Sequence, residues 1–269
     1  MQYGCFTRNH EGCLLNAQMP EGHGVQTGRP IRRIPTGDRA MEKEPTAIPP
    51  EDLEETITRD PQGRVRERRF TRRGKTEGTY SSFYANGQPM VRMTFRNGLR
   101  EGEALSWYPD GTLRERGTFR KDRLEGEYRS YYEDGRLHEE EHYRDGLLEG
   151  PYRFFYRNGQ VRDEESFRGG KFEGPYRSYY KSGQLRESGS FLHDQRDGEY
   201  VAYDRQGRIR EKAFYRKGKL VGKFEVFAIN PASEGAGQGS PIDDERDLRE
   251  DREQAAENLL KDLRDIERK

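Results

Sequence analysis

Residues Gly126–Glu149 read GEYRSYYEDGRLHEEEHYRDGLLE. Two tyrosine-rich runs flank Glu133-Asp134-Gly135. Asp-Gly or Asn-Gly between β-forming runs is a strong hairpin signal, because such turns need residues that accept positive φ. In the first run Tyr128, Ser130 and Tyr132 alternate onto one face, and Arg129 and Tyr131 onto the other. In the second run Leu137, Glu139, Glu141 and Tyr143 are expected to share a face. The apolar period is two, with no helical stripe, so this stretch predicts one β-hairpin.

The same unit recurs in both directions. Gly78, Gly102, Gly126, Gly150, Gly174, Gly198 and Gly222 stand 24 residues apart without a slip, and serve as structural turn glycines. Gly63, Gly87, Gly111, Gly135, Gly159, Gly183 and Gly207 keep the same register. A third turn position reads Gly74, Gly98, Asp122, Gly146, Gly170, Asp194 and Gly218; Asp is among the few residues besides Gly that tolerate the left-handed region. Self-similarity at a fixed short period marks a repeat array, in which each unit completes its core against its neighbours. The predicted fold is an all-β repeat protein, an elongated twisted antiparallel sheet of tandem 24-residue hairpins with roughly 14 strands. A hydrophobic content of 30% and a mean hydropathy of -1.24 suit a thin sheet better than a thick globular core.

Aromatic residues form two lines across the expected strands. One runs through Phe83, Trp107, Tyr131, Phe155, Tyr179, Tyr203 and Phe227, the other through Tyr84, Tyr108, Tyr132, Tyr156 and Tyr180 on the opposite face. Which face is the more buried stays open. Beside the first line, Arg129, Arg153 and Arg177 line up in the three central copies. Cations interleaved with aromatics can stack bases or hold an anionic headgroup. They can equally pair with glutamates on neighbouring strands. Arg129, Tyr131, Arg153, Phe155, Arg177 and Tyr179 are therefore the candidate binding residues.

The charge is balanced, 49 Lys and Arg against 49 Asp and Glu. That balance weakens nucleic-acid binding, whose affinity follows uncompensated positive charge. Arginines before each loop turn (Arg72, Arg96, Arg120, Arg144, Arg168, Arg216) and acids after it (Glu77, Glu101, Glu125, Glu149, Glu173, Asp197) read as a solvated rim or, alternatively, a basic groove. No nucleophile–base–acid set, phosphate-binding loop, dinucleotide fingerprint or HExxH motif is visible, and His138, His142 and His193 fall at non-equivalent places. The expectation is a protein that is not an enzyme and uses no cofactor or metal.

The flanks lack the period. Residues 1–57 are rich in turn-formers and read as a disordered leader, with Met41 as an alternative start. Cys5 and Cys13 fit neither a disulfide framework nor the usual zinc spacings. No secretory h-region and no run of 18 apolar residues is present, which points to a cytoplasmic protein, peripheral to a membrane at most. The array is expected over 58–229, opening on a lone second strand (Gly63–Gly74) and closing on a lone first strand (Gly222–Ile229). Residues 230–242 read as a flexible linker. Residues 243–269 carry a narrow apolar stripe (Leu248, Ala255, Leu259, Ile266 with Ala256, Leu260, Leu263) and read as a charged amphipathic helix, either docked on the last strand or binding a partner.

The unit G-x-Y-x-x-Y-Y-x-x-G-x-L, closed by aromatic-R-x-G and then E-G, is seen in Gly150-Pro151-Tyr152 through Tyr156, Asn158-Gly159, Val161, Phe167, Gly170 and Glu173-Gly174. It resembles the MORN repeat variant, over about residues 60–229. Ala104, Pro89 and Thr71 depart from the pattern and suggest an irregular N-terminal edge. The resemblance implies a β-hairpin array with a binding role. The family includes bacterial proteins labelled antitoxins of toxin–antitoxin pairs, and related MORN repeats are linked with anionic lipid and with protein scaffolding. Three roles follow as expectations: a scaffold for a protein partner, an antitoxin-like neutraliser of a toxin, or a binder of anionic lipid or nucleic acid through the arginine–tyrosine line.

Overall fold

The computed structural model describes residues 53–227. The leader up to residue 52 with its two cysteines, the linker 230–242 and the helix expected over 243–269 lie outside the described residues. Within them the chain is all β, with no helix, and its 21 strands belong to one sheet in which every pairing is antiparallel.

Fourteen strands are six to nine residues long, and they follow one another as hairpins. The pairs are β1 (Glu54–Arg59) with β2 (Val65–Arg72), β4 (Gly78–Phe83) with β5 (Pro89–Arg96), and β6 (Leu99–Trp107) with β7 (Leu113–Arg120). Then come β9 (Gly126–Tyr131) with β10 (Leu137–Arg144), and β12 (Gly150–Phe155) with β13 (Val161–Arg168). The last two are β15 (Gly174–Tyr179) with β16 (Leu185–Leu192), and β18 (Gly198–Tyr203) with β19 (Ile209–Arg216). Two-residue strands β3 (Lys75–Thr76), β8 (Arg123–Leu124), β11 (Leu147–Leu148), β14 (Lys171–Phe172), β17 (Gln195–Arg196) and β20 (Lys219–Leu220) lie in the connections, and β21 (Glu225–Val226) closes the sheet. The connections are thus tight extensions of the ladder and not loose loops.

The array opens earlier than the repeat pattern suggests. β1 pairs with β2 from Glu54↔Thr71 to Arg59↔Val65, so the first hairpin is complete. EETITR lacks the glycine and tyrosine of the other copies but keeps strand-forming Thr56, Ile57 and Thr58.

Two kinds of turn alternate. At the Asn-Gly and Asp-Gly end only the glycine has positive φ, as at Gly87 (86°). The Gly87 amide donates to the Tyr84 carbonyl, and Asn86 Oδ1 accepts the Gln88 amide. This is the three-residue hairpin loop with a left-handed glycine at its end, not the two-residue mirror-image turn. The mirror-image turn is at the other end, where both central residues are left-handed: Asn97 (54°) with Gly98, and Lys121 (50°) with Asp122 (66°). Asp122 and Asp194 take the left-handed place that other copies give to glycine, as the sequence predicts.

Each hairpin carries a bulge. Ser130 faces Glu139 and Tyr131 faces Leu137, so His138 is the extra residue. The same slip leaves Arg66, Met90, Arg114, Arg162, Arg186 and Arg210 as extra residues in the other copies. The expected face assignment fails here. Glu139, Glu141 and Tyr143 share the Tyr128 face, but Leu137 pairs with Tyr131 on the opposite one, because the bulge shifts the period by one.

The tyrosine face is the inner one. Tyr128 (4% exposed), Tyr152 (1%) and Phe119 (2%) are buried on it, as is nearly all of the core; Leu105 and Val201 are buried on the outer face. With one sheet and no second layer among the described residues, one face is buried only if the sheet curls over it and its tall side chains pack shoulder to shoulder. Tyr80, Val91, Met93, Phe95, Phe119, Leu124, Tyr128 and Tyr143 form an apolar cluster in the N-terminal copies, and Tyr200, Ala202 and Ala213 a smaller one near the other end. Between them stacked rings, Phe167 on Phe172 and Phe172 on Phe191, share the inner face with paired polar groups. Glu187 accepts from Tyr176 and Tyr200 at 2.7 and 2.8 Å, and Arg162 pairs with Asp163 at 2.8 Å while lying over the Phe154 ring. Despite burial, these tyrosine hydroxyls and the Arg186 charge hold the Glu187 carboxyl below the usual range.

Candidate binding surface on the outer face

Contacts that repeat from copy to copy hold the strands in one register and so fix the outer face. At the Asn-Gly end, Tyr84, Tyr108, Tyr132, Tyr156 and Tyr180 each donate their hydroxyl to a main-chain carbonyl 23 residues on, at 2.7–2.9 Å. At the other end, main-chain bonds tie each turn to the copy before it: Gly98 to Thr76, Asp122 to Arg100, Gly146 to Leu124 and Gly170 to Leu148. Glutamate carboxylates add a second tie there. Glu77, Glu101, Glu125 and Glu149 accept the turn amides of Asn97, Lys121, Asp145 and Gly169, 20 residues on, at 2.7–2.9 Å.

These glutamates are the acids that the sequence suggests as a charged rim. Glu77 is only 6% exposed. An acid in every copy at the same offset from a turn is the signal that could have identified them, since a carboxylate suits an orphan amide. Asp60 and Asp204 occupy the inter-copy tyrosine position near the two ends and instead hold their own turns, accepting the amides of Arg64 and Arg208.

On the outer face, cross-strand register sets two rows side by side. In the first, Phe83 faces Pro89, Trp107 faces Leu113, Tyr131 faces Leu137, Phe155 faces Val161, Tyr179 faces Leu185 and Tyr203 faces Ile209. Except for Ile209, which is 40% exposed, these side chains are half-buried. The row alternates an aromatic with a proline or aliphatic residue from strand to strand across the array.

In the second row Arg129 faces Glu140, Glu140 also faces Arg153, Arg153 faces Glu164, and Glu164 also faces Arg177. The structure therefore brings all six candidate residues onto one face in two adjacent rows, and it interleaves the arginines with Glu140 and Glu164, the cross-strand pairing that the sequence offers as the alternative. Arg129 contacts Glu140 at 2.9 Å and Glu127 at 2.6 Å, Arg153 contacts Glu140 at 3.2 Å and Glu164 at 3.7 Å, and Arg177 reaches Glu164 at 4.0 Å. Tyr179 donates to Glu164 at 2.9 Å, linking the rows. The hydrogen bond to Glu140 raises the Arg129 pKa further. Pairs this exposed contribute about 0–1 kcal/mol each, so their main effect is to orient the side chains and neutralise the row. Leu105 and Val201 stand at the arginine position in flanking copies; on the strands between, Arg116 faces Arg129 and pairs with Glu103 at 2.9 Å, and Ser188 faces Arg177.

The arrangement offers a long surface of rings and aliphatic side chains beside a band of compensated charge. It has the composition of a binding face, with aromatic anchors next to polar groups able to re-pair with a partner. No helix among the described residues is long and apolar enough to cross a membrane.

Fold and surface together define a tandem β-hairpin repeat protein. The model of the MORN repeat variant family matches five consecutive segments: 76–97, 100–121, 124–145, 148–168 and 172–193. The structure continues the same register beyond them, through β1–β2 before and β18–β19 after. No curated protein matches the sequence. Among solved structures, a TcdB2–TccC3–Cdc42 complex aligns at 11% identity with a TM-score of 0.14, covering 62% of this chain and 13% of that one. A protein of unknown function from Bacteroides fragilis aligns at 11% identity with a TM-score of 0.11, covering 69% of this chain and 97% of that one. This chain spans only a small part of the first.

Proposed function

We propose that the protein is a non-enzymatic repeat scaffold that binds a protein partner along the outer face of its sheet. The observation that carries this reading is the aromatic–aliphatic row, which runs from Phe83 to Ile209 on the face that packs against nothing else among the described residues. Rings held at half-exposure on a rigid sheet supply large contact area at low entropic cost. The MORN repeat variant segments support the scaffold reading, because an array of like units presents an extended surface. Under this reading the partner is a protein that places apolar anchors on Tyr131, Phe155 and Tyr179 and polar groups on the Arg129–Arg177 band. The compensation of those arginines by Glu140 and Glu164 favours a protein over an anionic lipid or nucleic acid.

Affinity capture with the intact protein and with a Tyr131→Ser, Phe155→Ser, Tyr179→Ser variant tests it, after both are shown to melt cooperatively. A partner lost only from the variant supports the reading. The same partner retained at the same level by both removes it.

A further inference from the structure

Exposed apolar side chains are concentrated at one end of the sheet. Of the ten large ones among the described residues, seven lie between residues 209 and 227. Three of them occupy positions that other copies bury on the inner face. Phe224 stands where Tyr128 and Tyr152 stand in earlier copies, but is 45% exposed against 4% and 1%. Val226 stands at the Ser178 and Ala202 position and is 69% exposed against 0% and 2%. Leu220 stands at the Leu124 position and is 46% exposed against 6%. They are core positions against which no further hairpin packs among the described residues. β21 bonds to β19 through two residue pairs, and no strand among the described residues bonds to its other edge. Terminal units of repeat arrays usually present polar outer surfaces, and an apolar open edge invites unwanted pairing.

The sequence supplies an occupant for that place. The last described residue, Phe227, lies on the surface itself, and the chain runs on through residue 269. Residues 209–227 carry six Lys and Arg against two acids, whereas residues 243–269 carry eleven acids against seven Lys and Arg. The later segment also has apolar residues at helical spacing, Leu248, Leu259, Leu263 and Ile266 among them. The residues between, 228–242, are rich in Gly, Ser and Pro; a chain of that composition and length reaches roughly 20 Å root-mean-square, which suffices to bring the segment back. Tethering at that distance gives an effective concentration of about millimolar, so even weak contacts favour closure.

We propose that residues 243–269 fold back onto the last hairpin of their own chain. Their apolar stripe covers Leu220, Phe224 and Val226, and their acids meet the lysines around them. The segment takes the place of a further hairpin, completing the inner core and covering that edge of β21.

Hydrogen exchange on the full chain tests this, comparing the wild-type protein with Leu259→Asp, Leu263→Asp, substitutions outside the sheet. The expected result is about tenfold faster exchange in peptides spanning 209–227 of the variant, with peptides spanning 113–120 unchanged as internal reference, in a wild-type protein that is monomeric by light scattering. Equal exchange of 209–227 in both proteins overturns the proposal. Protection that falls on dilution together with a dimer mass also overturns it, since a second copy would then be the cover.

Discussion

The hydroxyl of Tyr132 donates to the main-chain carbonyl of Phe155 at 2.7 Å, joining the turn of one hairpin to the first strand of the next. Four further tyrosines do the same, and with the glutamate–amide ties at the opposite end they make neighbouring hairpins one cooperative unit. The expectation is that Tyr132→Phe, which keeps the ring, costs about 1 kcal/mol, the net worth of one such hydrogen bond. A denaturant titration reads it as a lower midpoint; an unchanged midpoint would show that the tie contributes nothing.

Glu77 should matter more. It is buried, and its carboxylate accepts the Asn97 amide at 2.7 Å, a charge-assisted bond. Glu77→Ala leaves that amide without its partner and should cost about 2 kcal/mol, with faster exchange of the Asn97 amide. Were Glu77 merely part of a solvated rim, the substitution would fall within about 0.5 kcal/mol of neutral.

Two glycines at the same repeat position should respond in opposite directions. A Cβ at Gly117 would meet Tyr128 Cδ2 at 3.0 Å and Leu124 Cδ2 at 3.2 Å, both in the packed cluster. At Gly189 the nearest atoms, Glu199 O and Tyr200 Cδ2, lie at ordinary contact distances of 3.6 and 3.8 Å. Gly117→Ala should destabilise by about 1–3 kcal/mol through overpacking. Gly189→Ala should stabilise by about 0.4–1 kcal/mol through the lost entropy of the unfolded chain. Thermal melts of the two variants decide the matter, and the same sign for both would contradict the packing described.

Stability should fall at both ends of the pH scale. Burial pushes the Tyr108 hydroxyl up to about 12, and burial together with the Glu67 charge does the same to Tyr80. A folded pKa above the unfolded value of about 10 means that the contribution is whole below pH 10 and is lost as pH rises through 12. Ionised Tyr108 would also lose the proton it donates to the Tyr131 carbonyl. Glu187 has the opposite sign: its folded pKa is depressed, so its contribution is present above its ordinary value of 4.5 and is lost as pH falls below it. Denaturant midpoints across pH 3–12 should therefore form a plateau with two shoulders, and Glu187→Gln should flatten the acid one.

Much of this was legible in the sequence because the period is strict. The 24-residue glycine register gives the hairpins, and Asp122 and Asp194 mark left-handed turn positions. The sequence does not reveal which face is buried, since tyrosines line both; curling of the sheet decides that, and curling depends on bulges. The bulge at His138 and its equivalents also breaks the simple alternation, placing Arg162 and Arg186 beside Asp163 and Glu187 on the inner face. β1 escapes notice because it has strand-forming residues without the repeat's glycine and tyrosine. The candidate rows were legible as far as Arg129, Arg153 and Arg177 and their aromatic neighbours, but their compensation by Glu140 and Glu164 depends on cross-strand register.

The central claim, that the outer face is the binding face, is tested most directly by hydroxyl-radical footprinting of the full chain alone and in its captured complex. The account predicts protection of Trp107, Tyr131, Phe155 and Tyr179, with the inner-face Tyr128 and Tyr152 unchanged. Protection confined to residues 209–227, or absent from the aromatic row, would contradict it.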